Sequence, residues 1–287
     1  MDLNYVLVTD SACDLSPDLL RQWGVTHIRM PFTFTDDGKE HLDLDEPLKT
    51  FYAEMRGGRV VKTSALNEAA YYQAFTPLLE AGKDILYLAF SSGLSVTCEN
   101  SVRVANALSA QYPGRKIVSV DSLAASAGEG LFVYLAKRNR DQGMTLEQNA
   151  ESLMQERLHV VHWFTVEDLQ YLKRGGRVSA ATALLGTALN VKPVLHVDDE
   201  GHLIKMTQVH GRKKSIRYMA EKLGETIREG SPVFISNADC QEDAESLKKI
   251  LHSEYGVETT LITDIGSVIG AHSGPGTLAL FFMGEHR

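Results

Sequence analysis

Asp84-Ile85-Leu86-Tyr87-Leu88-Ala89-Phe90, followed at once by Ser91-Ser92-Gly93-Leu94-Ser95-Val96-Thr97, decides the fold. An apolar run this short, opened by a charge and closed by small polar residues, reads as a buried strand feeding a loop. Residues 96 to 110 then carry apolar side chains at helical spacing, with Val96, Val104 and Leu108 among them. The pattern repeats: residues 117–120 form a strand, Asp121-Ser122 a loop, and residues 124–137 a long helix. Strands alternating with helices imply a parallel sheet covered on both faces.

Working outward, residues 5–8 read as another buried strand ending in Thr9-Asp10-Ser11. Ser16-Pro17 caps and starts a helix toward Trp23, with Gly24 just past its end. Residues 27–34 read as the next strand, and residues 68–79 as a helix stopped by Gly82. Thr145 caps a helix over residues 145–158, and residues 159–164 open the second half as a strand. A short helix at 169–173 ends at Arg174-Gly175-Gly176-Arg177. Segments 191–197 and 202–207 flank Asp198-Asp199-Glu200-Gly201 as a hairpin, and a helix spans 213–228. Strand 232–237, helix 242–253 and strand 258–263 form a second alternating unit, and 277–283 is the last strand. The reading is two α/β domains: residues 1–160 with a mostly parallel sheet flanked by helices, and residues 161–287 with a mixed sheet.

Composition narrows the function. The chain has 287 residues, 44% hydrophobic and 23% charged, which is ordinary globular usage. A net charge of −8 argues against a general nucleic-acid binder. The basic run Arg212-Lys213-Lys214 with Arg217 reads first as the solvated face of a helix, and second as a docking surface for an acidic partner. Cys13, Cys98 and Cys240 make neither a disulfide framework nor a metal-ligand pattern, so a reducing, cytoplasmic setting is expected. Met1-Asp2-Leu3-Asn4 carries no secretory signal pattern. Residues 265–284 lack formal charge, but five glycines, a proline and a histidine argue against a membrane span.

In doubly wound sheets, ligands bind beyond the carboxyl ends of the strands. The Ser91–Thr97 loop lies at such an end, as does Asp10-Ser11. Ser95, near a helix start, can cap backbone N–H groups or help a helix terminus hold an anion. Thr63-Ser64-Ala65-Leu66-Asn67 reads equally as a cap before Glu68 or as a ligand contact. In Gly270-Ala271-His272-Ser273-Gly274-Pro275-Gly276, three glycines and a proline around one histidine specify a backbone that passes close to something. The loop has neither the lysine of a phosphate-binding loop nor the spacing of a dinucleotide fingerprint. His159 and His162, three apart on a strand, face opposite ways and make poor co-ligands. No Gly-x-Ser-x-Gly elbow is present. No cofactor, metal or catalytic centre is indicated.

Taken in order, these motifs resemble the DegV family. Val8-Thr9-Asp10-Ser11 with Asp14-Leu15, Lys62-Thr63-Ser64, Ser91-Ser92-Gly93-Leu94-Ser95, Arg174-Gly175-Gly176-Arg177, Lys192-Pro193-Val194, Lys213-Lys214 and the His272 loop carry the resemblance from first strand to last. It implies a FakB-like, non-enzymatic protein of bacterial phospholipid metabolism that binds a long-chain fatty acid in an apolar tunnel between or beside two domains. The carboxyl group would meet Thr63 and Ser95, with His272 at the same polar end and Ser64, Ser92 and Ser273 around it. The partner implied is a separate ATP-dependent fatty-acid kinase subunit that makes the acyl phosphate, with Arg174, Arg177 and Arg212 as docking candidates. The chain departs from the pattern at Leu66, where proline is common, and at His210-Gly211-Arg212, where Arg-x-Arg is common.

The physics fits such a site. Each buried methylene contributes about 0.8 kcal/mol, so a sixteen-carbon tail offers on the order of 10 kcal/mol before association costs. A neutral hydrogen bond nets about 1 kcal/mol. The tail would supply affinity and the polar end orientation. The competing reading is a hydrolase or phosphotransferase acting on a lipid-like substrate through Ser95 or Ser273 with His272, which requires a serine within about 3 Å of the imidazole. A purely regulatory role is the third reading.

Overall fold

The computed structural model describes residues 4–179 and 190–287; Met1, Asp2 and Leu3 of the amino-terminal segment lie outside it. Strand β1 (Tyr5–Asp10) pairs in parallel with β2 (Val25–Ile28) and β6 (Asp84–Ala89), and β6 with β7 (Ile117–Asp121). The order β2-β1-β6-β7 is the parallel sheet expected from the Asp84–Phe90 run. Adjacent residues of β1 serve opposite faces, as the two-residue strand period requires. Leu7 packs with Leu131, Phe132 and Leu135 of α5 (Ala127–Asp141). Val8 packs with Tyr71 and Phe75 of α3 (Glu68–Glu80) and with Val104 and Leu108 of α4 (Thr97–Gln111). Helix starts are chemically marked: Ser16 caps α1 (Pro17–Gln22), Asn67 caps α3, and Thr145 with Gln148 forms a capping box on α6 (Leu146–Glu156).

The second sheet comprises β8 (Val160–Thr165), β9 (Val191–Val197), β10 (Leu203–His210), β11 (Val233–Asn237), β12 (Leu261–Asp264) and β13 (Leu278–Met283), in the order β10-β9-β8-β13-β11-β12. It is mixed: β11–β12 is parallel and its other pairings are antiparallel. Alternation along the buried strand β13 again sets the layers. Leu278, Leu280 and Phe282 face α8 (Arg212–Thr226) and α9 (Gln241–Tyr255), while Ala279 and Phe281 join the α5 cluster. Helix α5 therefore sits between the two sheets.

Two expectations are corrected. Residues 27–34 are two strands, not one: β2 ends at Ile28, and β3 (Pro31–Phe34) joins a separate antiparallel sheet with β4 (Glu40–Leu42) and β5 (Val61–Thr63). Pro31 has no N–H to continue a ladder, and the Met30 N–H is taken by Ser11 Oγ at 3.0 Å. Helix α2 (Leu48–Arg56) closes this sheet through Phe51, Tyr52 and Met55 against Phe32 and Phe34. The glycine-rich stretch around His272 is largely helical, as α10 (Ser267–Ser273), with Gly274 and Gly276 turning the chain into β13 at φ of +81° and +80°.

Candidate functional site

A cavity of about 430 Å³ opens among the carboxyl ends of the parallel strands, the β5 edge and the inner face of the mixed sheet. That volume lies within the roughly 300–1,000 Å³ usual for small-molecule sites. Met30, Phe90, Leu94, Val268 and Ile269 line it from one side; Phe164, Val197, Leu203, Ala279 and Phe281 line it from the other. Its polar lining includes Thr63, Ser64, Ser92, Ser95, His272, Ser273 and Arg177.

Each polar group is placed by backbone. Thr63 ends β5, where β3 fixes it through the Phe32–Thr63 pairing. Its Oγ1 lies 2.7 Å from His272 Nε2. Helix α10 carries His272 and is mounted at its start on two buried carboxylates. Asp14 Oδ1 accepts the Gly266 N–H at 2.8 Å, and Asp43 Oδ1 accepts the Ser267 N–H at 2.7 Å. Tyr52 donates to Ile265 O at 2.7 Å, and its hydroxyl fills the space a side chain at Gly270 would need. Burial, then the nearby Arg177 guanidinium, pushes the His272 pKa down to about 4, so the ring is neutral at pH 7.

Ser95 stands one residue before the α4 cap, which is Val96: its Oγ accepts the Thr97 N–H at 3.2 Å and lies 2.8 Å from Thr97 Oγ1, while the residue also lines the cavity. The β9–β10 turn rests on this loop. Ser91 Oγ donates to Gly201 O at 2.9 Å, and a Cβ at Gly93 would stand 2.6 Å from Glu200 O. Asn67, not Thr63 or Ser64, caps α3.

Seven of the nine side chains singled out from sequence thus meet at one cavity. The other two lie elsewhere. Arg174 is exposed, with its guanidinium 5.4 Å from the centre of the Tyr171 ring. Arg212 departs from the solvated face expected of it: it is half-buried, donating to Asp243 Oδ2 at 2.8 Å and to Gly276 O at 2.7 Å, which ties down the turn before β13. His272 Nε2 is bonded to Thr63, and among the described residues neither Ser95 nor Ser273 bonds the imidazole. Asp10 and Ser11 do not line the cavity. Asp10 is buried under hydrogen bonds from the Tyr87 hydroxyl (2.7 Å) and the Phe90 and Ala12 amides, and burial still pushes its pKa up to about 6.

Sequence reasoning missed Ser126 and His162, which also line the cavity. Ser126 sits between β7 and α5 at φ +56°, ψ −147°, a conformation otherwise almost confined to glycine. It is held there by donating to Asp14 Oδ2 at 2.5 Å and by a 2.9 Å contact with Ser236 Oγ. Ala124-x-Ser126-x-Gly128 has an alanine where the search for an elbow required glycine; small residues flanking a serine at a strand–helix junction were the available signal. His162 is 1% exposed, with Nδ1 on Val160 O at 3.0 Å and its ring edge-on to Phe281. Burial drives its pKa well below the usual value, so it behaves as part of the apolar wall.

Among the described residues no helix is long and apolar enough to cross a membrane, and no group of three or more His, Cys, Asp or Glu side chains is arranged to hold a metal ion. The family model described as "Uncharacterised protein, DegV family" matches residues 4–285. A DegV domain-containing protein of Clostridium perfringens is 37% identical over 288 residues, covering 99% of this chain and 98% of its own. Another from Lactococcus lactis is 35% identical over 283 residues, covering 97% of both chains. Among solved structures, a fatty-acid-binding DegV family protein from Thermus thermophilus superposes with a TM-score of 0.86 at 28% identity, covering 98% of this chain and all of that one. DegV from Bacillus subtilis, a fatty acid binding protein, gives a TM-score of 0.83 at 25% identity, covering 99% and 100%. On a match from the first described strand to the last, the chain belongs to the DegV family.

Proposed function

We propose that this protein binds a long-chain fatty acid and presents its carboxylate to a separate ATP-dependent fatty-acid kinase subunit, without catalysing a reaction itself. The observation that carries the reading is the gathering of Thr63, Ser95 and His272 onto one apolar cavity. The fatty acid binding of the Thermus thermophilus and Bacillus subtilis family members supports it. The acyl chain lies along Phe164, Ala279 and Phe281, where burial contributes about 0.8 kcal/mol per methylene. The carboxylate lies at the Thr63–His272 end, with Ser64, Ser92, Ser95 and Ser273 around it.

Proton placement follows from hydrogen bonding. Nδ1 has no acceptor for a proton, so the proton sits on Nε2 and is donated to Thr63 Oγ1, and the Thr63 hydroxyl hydrogen turns to the ligand carboxylate. Hydroxyl contacts hold a carboxylate less tightly than a bidentate arginine, which suits a group due for transfer to phosphate. Arg177 on the cavity wall and the exposed Arg174 three residues before it are the docking residues for the kinase subunit. The reading takes residues 1–160 and 161–287 as two domains with the ligand between them, in a cytoplasmic setting.

Protein purified from bacteria is expected to release fatty acid on organic extraction, detected by mass spectrometry. Thr63→Ala and Ser95→Ala should each retain several-fold less. Undiminished loading in both variants, or a wild-type protein that neither carries nor takes up palmitate, would sink the proposal. Acyl phosphate formed from the loaded protein, ATP and a kinase subunit tests the partner.

A further inference from the structure

We infer that Gly175 is a positioning residue for the carboxylate end of the cavity: its missing side chain is the slot that holds the His272 ring against Thr63. The inference rests on the reading of that end as the carboxylate site. Gly175 closes α7 (Gln170–Arg174) at φ −72°, ψ −11°, an ordinary right-handed conformation open to any residue. The glycine is therefore not required by its backbone, unlike its neighbour Gly176 at φ +71°. What it does is leave room. A Cβ built there would stand 2.1 Å from His272 Nδ1 and about 3 Å from two more ring atoms.

The ring is consequently held between two fixed points, the α7 backbone on its Nδ1 edge and Thr63 Oγ1 at 2.7 Å on its Nε2 edge. Nδ1 makes no hydrogen bond, so the slot and the Thr63 contact are what orient it. The same pair of helices locks a second time in the reverse sense. Tyr171 of α7 lies over Gly274, just past α10, where a Cβ would come within 2.4 Å of the phenol ring. Each element supplies a glycine that receives the other's ring, so α7 sets the rotation of His272 about the α10 axis. A ring turned out of the slot leaves the Thr63 hydroxyl without its donor and free to point away from the carboxylate.

The test compares wild type, Gly175→Ala, His272→Ala and the double variant for palmitate affinity after delipidation, with ¹⁵N NMR of the His272 imidazole. Alanine suits the helical backbone at this position, so the fold should persist. Gly175→Ala is expected to shift the imidazole resonances and to weaken palmitate binding by about tenfold, the worth of one hydrogen bond to a charged group. The double variant should bind no worse than His272→Ala, because the clash disappears with the ring. If Gly175→Ala fails to fold, recovery of folding in the double variant carries the same meaning. Unchanged resonances in Gly175→Ala, or losses that add in the double variant, would overturn the inference. Failure of the wild type to bind palmitate would remove the fatty-acid reading, while the ligand-free resonances would still report on the slot.

Discussion

His272 is the residue on which the polar end turns, and its environment makes a pH signature. In the folded protein its pKa lies at about 4, against 6.5 ordinarily, because burial and Arg177 oppose the charged form. Between those values the unfolded chain binds the extra proton and the folded protein does not, so this residue makes stability rise with pH across the window. The full effect is about 3 kcal/mol, present above pH 6.5 and lost as pH falls toward 4. Asp10 acts in the opposite sense. Its folded pKa of about 6 exceeds the ordinary 3.8, so its contribution is fully present below 3.8 and lost as pH rises to 6. Total stability mixes the two, and the difference between wild type and His272→Gln isolates the first. In denaturant unfolding, that difference should move in favour of His272→Gln as pH drops from 7 to 4.5; a difference independent of pH contradicts the assignment.

At the scale of elements, the cavity depends on contacts that only glycine permits. Gly93 carries the weight of the β9–β10 turn, whose Glu200 and Gly201 backbone atoms come within 2.6–2.9 Å of where a Cβ would stand. Those are backbone atoms, with no rotamer to swing aside. Gly93→Ala is expected to cost about 1–3 kcal/mol, as overpacking does. It should also raise amide exchange in both the Ser91–Ser95 loop and the β9–β10 turn, as read by hydrogen exchange. Unperturbed exchange in that turn argues against the contact.

The elements were legible in sequence where a local period or a cap declared them. The Asp84–Phe90 run gave β6, Thr145 gave α6, and the Asp198–Gly201 turn gave the hairpin. Residues 27–34 misled because their apolar pattern continues while the pairing partner changes at Pro31, a tertiary fact. Strands β4 and β5 and helix α2 escaped as well; three-residue strands are too short to show a period. Of the cavity, the loop hydroxyls and His272 were readable as small polar residues beyond strand ends. Ser126 and His162 were not, since their place depends on α5 packing between sheets formed by distant segments.

At the scale of the whole molecule, the wall is drawn from Met30 near one end to Phe281 near the other. A ligand bound there binds only the folded state, and should stabilise it by RT ln(1 + [L]/Kd), about 2.7 kcal/mol at a hundredfold excess over Kd. For a chain of 287 residues that corresponds to a rise in Tm of roughly 4–5 °C. Adding palmitate to delipidated protein in a thermal melt checks it, and an unmoved transition in the presence of saturating palmitate contradicts it.

The position of β13 has a consequence for timing. That strand lies between β8 and β11, and its Ala279 and Phe281 form part of the chamber floor. Its pairing with β8 joins segments more than a hundred residues apart, such as Leu278 with Thr165. Contacts of such long range carry a large loop-closure cost and come slowly. A hydrocarbon guest consequently has nowhere to lodge in a half-assembled chain, and acquiring one belongs to the closing stage of folding.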